Sequence, residues 1–296
     1  MSGTDPPRVS GTGPPRVSGT DPPRTTGPGT RPPAVAGAFY PADPPALAAT
    51  VDALIAAVQV PADPAPGRAY VVPHAGYRFS GRTAAQVYGR LRGQLGRFDR
   101  AVVIGPAHRV PLRGAAVPLT RRWRTPLGEL SVDVATALDL AGKGLATASD
   151  EPHAPEHSIE VQLPFLQRLL FDGPILPVCI GQSTADEVAD LLDAAVDART
   201  LLLCSTDLSH YLPDEQARQR DARTAAAIAE LAPERIGPYD ACGRYALRGL
   251  LRWARGQGLS AEILELSTSA DAGAGRDRVV GYPAVALLAN GHSRQD

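Results

Sequence analysis

Three short apolar runs, each closed by residues that turn the chain and each leading to a histidine, limit what this sequence can fold into. Ala69-Tyr-Val-Val-Pro delivers His74 into a Gly-containing turn, Ala101-Val-Val-Ile-Gly-Pro-Ala leads to His108, and Leu201-Leu-Leu-Cys-Ser-Thr-Asp-Leu-Ser leads to His210. Short apolar runs without polar alternation suit strands buried on both faces of an α/β sheet. Ligands of such sheets sit beyond the carboxyl ends of the strands. Strand and helix patterns alternate through most of the chain, which predicts an α/β layered sandwich: a central, largely parallel or mixed sheet with helices on both faces. The chain has six histidines. Three of them brought to one sheet edge point to a site, and neutral imidazole is the commonest side-chain metal ligand.

The 296 residues are enough for a substantial core. With 30 basic and 31 acidic residues, the chain lacks the basic surplus of a general nucleic-acid binder. No apolar run reaches the ~18 residues of a membrane span, and the first residues lack the pattern of a secretory signal. Three widely spaced cysteines give no disulfide framework, so a reducing cytoplasm is the expected compartment. Heavy use of Ala, Arg, Gly and Pro with a single Met points to a GC-rich bacterial genome. Residues 1–33 are an octad repeat built on Ser-Gly-Thr-Asp-Pro-Pro-Arg. It carries too little apolar surface to offset the entropy of ordering and reads as a disordered tail. A single domain is expected over 34–290, with a polar tail at 291–296.

Within that domain, Asp43-Pro-Pro reads as an N-cap opening a helix through Val58. A second helix is expected from Ser80 to about Leu95, short strands near 115–119 and 123–132, and a helix over 132–140. Pro164 should kink or restart an amphipathic segment at 158–170. A strand at 175–180, helices at 186–196 and 215–231, and strands at 261–266 and 279–288 complete the pattern. Tyr239-Asp240-Ala-Cys242-Gly is read as opening a further helix to about Gly256, with Asp240 as its cap.

That reading puts Cys242 in a helical first turn, where the dipole favours thiolate, a metal ligand or a nucleophile. Cys179 and Cys204 lie inside apolar runs and read as buried small residues. Asp207 precedes His210 by three residues, and Glu156 adjoins His157; such carboxylates ligate a metal or fix an imidazole tautomer. His157 at a helix start is a better candidate than His153, which reads as solvated. Glu160 is expected on the same helix face as His157. No phosphate-binding GxGxxG loop and no GxSxG elbow is present.

Seven segments in order carry a wider resemblance: Pro33-Ala-Val-Ala-Gly-Ala-Phe-Tyr-Pro-Ala-Asp, Pro73-His-Ala-Gly-Tyr-Arg-Phe-Ser-Gly, Gly105-Pro-Ala-His, Thr125-Pro-Leu-Gly-Glu-Leu, Glu156-His-Ser-Ile-Glu-Val-Gln-Leu-Pro-Phe, Thr206-Asp-Leu-Ser-His-Tyr and Asp240-Ala-Cys-Gly-Arg. Together they resemble the Memo family, whose bacterial and archaeal members are called AmmeMemoRadiSam system protein B. The resemblance implies a fold similar to class III extradiol dioxygenases, which hold non-haem Fe(II) through two histidines and a glutamate. By position it assigns His74 and His108 as the histidine ligands and places Cys242 where the glutamate would stand. His210, with Asp207 beside it, takes the acid/base role, and Tyr77, Glu156 and His157 contact substrate or support the ligands. A thiolate in the carboxylate's place shifts the expectation toward softer metals, copper or zinc as well as iron. The resemblance implies either metal-dependent redox chemistry on a small molecule or a non-catalytic cleft that binds a peptide. It also implies radical-SAM and AMMECR-type partners.

Overall fold

The computed structural model describes Met1 and residues 29–61 and 67–289. In chain order the strands and helices are β1 (Thr30–Arg31), α1 (Pro44–Ala56), β2 (Gly67–Val72), α2 (Tyr77–Leu91), β3 (Arg100–Pro106), β4 (Ala115–Val117), β5 (Arg122–Thr125), β6 (Gly128–Ser131), α3 (Val134–Gly142) and β7 (Thr147–Ala148). They continue as α4 (Leu163–Arg168), β8 (Ile175–Ile180), α5 (Ala185–Ala195), β9 (Thr200–Ser205), β10 (His210–Leu212), α6 (Asp214–Ala229), α7 (Arg244–Gly256), β11 (Leu259–Thr268) and β12 (Val279–Ala289). The fold is α/β with a mixed central sheet, as the alternation of patterns predicts.

That sheet runs β10-β12-β2-β9-β3-β8-β4-β7, with β11 also paired to β12. Its centre is the parallel set β2, β9, β3 and β8; β12 pairs antiparallel with β2, and β4 with β8. The apolar runs are continuous because both faces are covered. On β2, Tyr70 and Val72 enter one core while Ala69 and Val71 enter the other. On β9, Leu201 and Leu203 face the first core, and Leu202 and Cys204 the second. Helices α1, α2 and α4 close the first core, and α3, α5, α6 and α7 the second. Each fully buried Leu or Val contributes roughly 1.5–3 kcal/mol of transfer free energy. The central strands are therefore a rigid base from which the loops after β2, β3 and β9 leave along one edge.

Local chemistry sets the helix starts. The Asp43 side chain accepts from the Ala46 amide at α1, and Thr184 with Glu187 forms a reciprocal capping box at α5. After a single 3₁₀ turn at Glu160–Gln162, the chain restarts as α4 with Pro164 in its first turn; proline needs no partner there.

Two expectations are corrected. Thr30–Arg31 is not tail: it pairs parallel with Arg122–Trp123 of β5 in a small sheet, β1-β5-β6. The expected tail is thus too long at its carboxyl end; residues 2–28, like 290–296, lie outside the described residues. The second concerns α7, which begins at Arg244 behind Gly243. Asp240 does not cap it, because its Oδ2 accepts instead from the Gly237 amide and closes the preceding turn.

Candidate metal centre

The loops beyond β2 and β3 and the turn before α4 bring His74, His108 and His157 together, with one possible ligand atom from each lying within 4.8 Å of the others. The His74 and His108 rings meet edge to face at a centroid distance of 5.1 Å, and His108 stacks on His157 at 4.7 Å. Phe39 also packs on His157, tilted, at a centroid distance of 4.6 Å.

The tautomer of His74 follows from its neighbours. Gln162 gives Nε2 hydrogens to the Pro73 carbonyl and to Ser205 Oγ, while Tyr88 donates to its Oε1. Ser205 spends its own hydrogen on the Ser158 carbonyl. Only a lone pair of Ser205 remains for His74 Nδ1, 2.9 Å away, so Nδ1 carries the proton and Nε2 presents a lone pair. Burial, followed by the charges of His108 and His157, pushes His74 well below the ordinary histidine pKa and keeps it neutral. The Asp207 carboxylate accepts from the His74 backbone amide at 2.7 Å and fixes that turn.

Glu156 organises the other half. It accepts from the His108 amide at 2.5 Å and from His108 Nδ1 at 2.9 Å, and also takes the amides of His157 and Ser158. That leaves His108 Nε2 with its lone pair free, the arrangement by which a carboxylate orients an imidazole that could bind a metal. Burial alone would raise the Glu156 carboxyl, but the hydrogen bonds from His108 and the nearby His157 ring hold it far below the usual range. His157 Nδ1 lies 3.2 Å from the same oxygen without a directed hydrogen bond.

Cys242 stands beside this group, with Sγ 3.3 Å from His74 Nε2 and accepting the Asp207 amide at 3.3 Å. It lies ahead of α7 rather than in its first turn. Desolvation and the Asp207 carboxylate push its thiol up to about 12, the opposite of the thiolate expected from a helix start. His210 lines the same cavity of about 770 Å³. Its Nδ1 lies 2.9 Å from the Leu208 carbonyl, which can only accept, so Nε2 is left free as a base. Tyr211, at φ +60°, turns the chain immediately after it.

Other residues fall elsewhere. Tyr77 is buried and does not line this cavity; its hydroxyl holds the Val161 carbonyl. His153 is not solvated: it is buried between Cys179, Trp123 and the Ala116 carbonyl, and burial lowers its pKa to about 4. Glu160 turns away from the site and is fully buried. It accepts from Arg31, Tyr40 and the amides of Ala34 and Val35. Arg31 also donates to the carbonyls of His153 and Glu156 and stacks over Trp123. Arg31, Gln162 and Ser205 escaped the sequence reading; the available signal was a polar residue within or beside an apolar stretch.

A protein named MEMO1 family protein from Archaeoglobus fulgidus is 37% identical over 273 residues, covering 86% of this chain and 98% of that protein. MEMO1 family protein MK0963 from Methanopyrus kandleri is 35% identical over 277 residues, with the same coverage. Among solved structures, an uncharacterized protein of Escherichia coli K12 superposes with a TM-score of 0.52 at 16% identity, over 75% of this chain and 100% of that one, a likeness of fold alone. Residues 31–286 match the family described as Memo-like protein, and with these relatives covered almost end to end, the chain belongs to the Memo family.

Proposed function

We propose that this protein is a metal-dependent redox enzyme acting on a small molecule in the cavity at the carboxyl edge of the sheet. The observation that carries the reading is the three-imidazole group, one potential ligand atom from each residue within 4.8 Å of the others. The donor set fits a first-row transition metal: His74 and His108 are held through Nδ1 by outer partners, which leaves Nε2 for the ion. His157 completes the tightest group, and the Cys242 sulfur beside His74 is a softer donor that favours copper or zinc as well as iron. Iron or copper bound there would supply Lewis acidity and a one-electron couple.

The residues around it divide the remaining work. His210 Nε2 faces the cavity free to take a proton from an acidic group of the substrate. Asp207 holds the His74 turn, and Glu156 keeps His108 oriented and supplies negative charge beside the imidazoles.

The test is elemental analysis of protein purified without chelators or a metal-affinity tag, followed by activity screening before and after chelation. Near-stoichiometric iron or copper, with activity lost on chelation and restored by the ion, is the expected result. Ligand binding indifferent to chelation would instead support a peptide- or partner-binding cleft. The three described cysteines are free, which supports a reducing cytoplasm. Association with radical-SAM and AMMECR-type proteins is proposed on family grounds and is tested by co-purification.

A further inference from the structure

Charge around the cavity is unevenly distributed. Arg109, Arg220 and Arg244 all line it. Among the described residues none of the three forms an ion pair: Arg220 reaches only the Tyr239 carbonyl at 3.5 Å, and Arg244 lies over the Tyr245 ring and bonds its hydroxyl. Asp207 is the one carboxylate in the lining, and its Oδ1 is occupied by the His74 amide. The wall is therefore cationic in a protein whose net charge is only −1. Arginine side chains are forked donors that match oxyanions, and α7 adds the positive end of its dipole where Arg244 begins it.

The mouth is aromatic. Phe79, Tyr211 and Tyr239 are among the few large side chains left exposed, and all three line this cavity. Exposed aromatic surface gathered at one opening marks a binding face rather than scattered surface residues. About 770 Å³ is within the range of small-molecule sites.

We propose that the ligand of this cavity is a small organic anion, a planar apolar body carrying a carboxylate. The carboxylate is gripped by Arg220 and Arg244, with Arg109 adding to the field, while the body rests on the aromatic mouth. This assignment rests on the reading of the cavity as the substrate site, but its recognition element is the arginine wall and not the metal.

The experiment separates the two. Benzoate and its uncharged isostere benzamide are titrated into the full chain by calorimetry, once after chelation and once after loading with Zn(II). Saturable benzoate binding to the stripped protein is expected, at least tenfold tighter than benzamide and weakened at least tenfold in Arg220→Ala/Arg244→Ala. The Arg220→Lys/Arg244→Lys variant, which keeps the charge but loses the fork, should bind with intermediate affinity, and melting curves monitor folding of both. Equal binding of benzamide, unchanged binding in the alanine variant, or no benzoate binding up to about 20 mM overturns the inference. Benzoate binding seen only with Zn(II) overturns it as well and leaves the metal reading standing. Intact benzoate binding in a protein that takes up no metal removes the metal reading and leaves the anion assignment.

Discussion

The sulfur of Cys242 lies 3.3 Å from Nε2 of His74, the nitrogen whose lone pair faces the candidate metal position. With its pKa pushed up to about 12, the thiol is protonated near neutrality, and the contact is an S–H donating to the imidazole. Cys242 is therefore available to a metal only through loss of that proton, whereas an imidazole needs no deprotonation: His74 Nε2 has only to exchange the S–H contact for the ion, and His108 Nε2 already presents its lone pair.

That order of availability predicts how variants divide. His74→Ala and His157→Ala should each lower Zn(II) affinity by roughly 100-fold or more. Cys242→Ser should lower it by less than about tenfold while shifting preference toward Fe(II), since sulfur favours the softer ions. Competition titrations of Zn(II), Cu(I) and Fe(II) measure both effects. A Cys242→Ser loss as large as that of His157→Ala would place the thiolate among the primary ligands.

Glu156 should behave as an orienter. Glu156→Ala leaves His108 Nδ1 without its acceptor and should weaken metal binding by about 10–100-fold. Glu156→Gln keeps an oxygen for one of these bonds and should fall between. Unchanged affinity in the alanine variant would show that His108 is held by its backbone alone.

The Arg31–Glu160 pair predicts a sharp boundary at the amino end. Both side chains are buried, at 4% and 0% exposure. Removing one partner of such a pair costs about 3–5 kcal/mol, or roughly 6–20 °C in Tm for a domain of this size. A chain starting at Gly29 should melt within about 2 °C of the full sequence, and one starting at Pro33 should show the larger loss. Arg31→Ala should match the second. Equal melting of all three would mean the pair contributes nothing net.

Two buried groups predict opposite pH limbs. His153 drops to about 4 on folding from an ordinary value of 6.5, so the unfolded chain binds the extra proton between those values. Stability should fall as pH drops through that window, by up to about 3 kcal/mol. Asp221 rises from 3.8 to about 6 through burial, opposed by the Ser209 amide. Here the folded chain holds the extra proton, and stability should fall as pH rises from about 4 to about 6. Melting curves of His153→Gln and Asp221→Asn against the parent should lose the first and second slopes respectively. Parallel curves at every pH would contradict both assignments.

Much of this architecture is legible in the residues themselves. The runs ending before His74 and His108 are apolar at every position because both faces of β2 and β3 are buried, and such runs read the same in sequence and in structure. Asp43 and Pro164 act locally, so their helix starts were legible too. Asp240 was misread because its partner, the Gly237 amide, belongs to a turn that no periodicity announces. Arg31 lay beyond reach for another reason: its partners at residues 153, 156 and 160 are more than 120 positions away. Tyr77 looked functional from its motif neighbours, yet its hydroxyl serves a carbonyl inside the core.

The strand order has one more consequence. β2 and β3, which deliver His74 and His108, are not neighbours, because β9 lies between them. Two inter-strand spacings amount to about 9.6 Å, yet the two rings approach to 5.1 Å. The His74 ring is held at the end of β9: its Nδ1 lies 2.9 Å from the hydroxyl of Ser205, the last residue of that strand. The middle strand is thus a spacer, and its final side chain is the peg on which one of the two imidazoles hangs. A lineage that replaced that one hydroxyl would loosen the hold on His74 without touching either histidine.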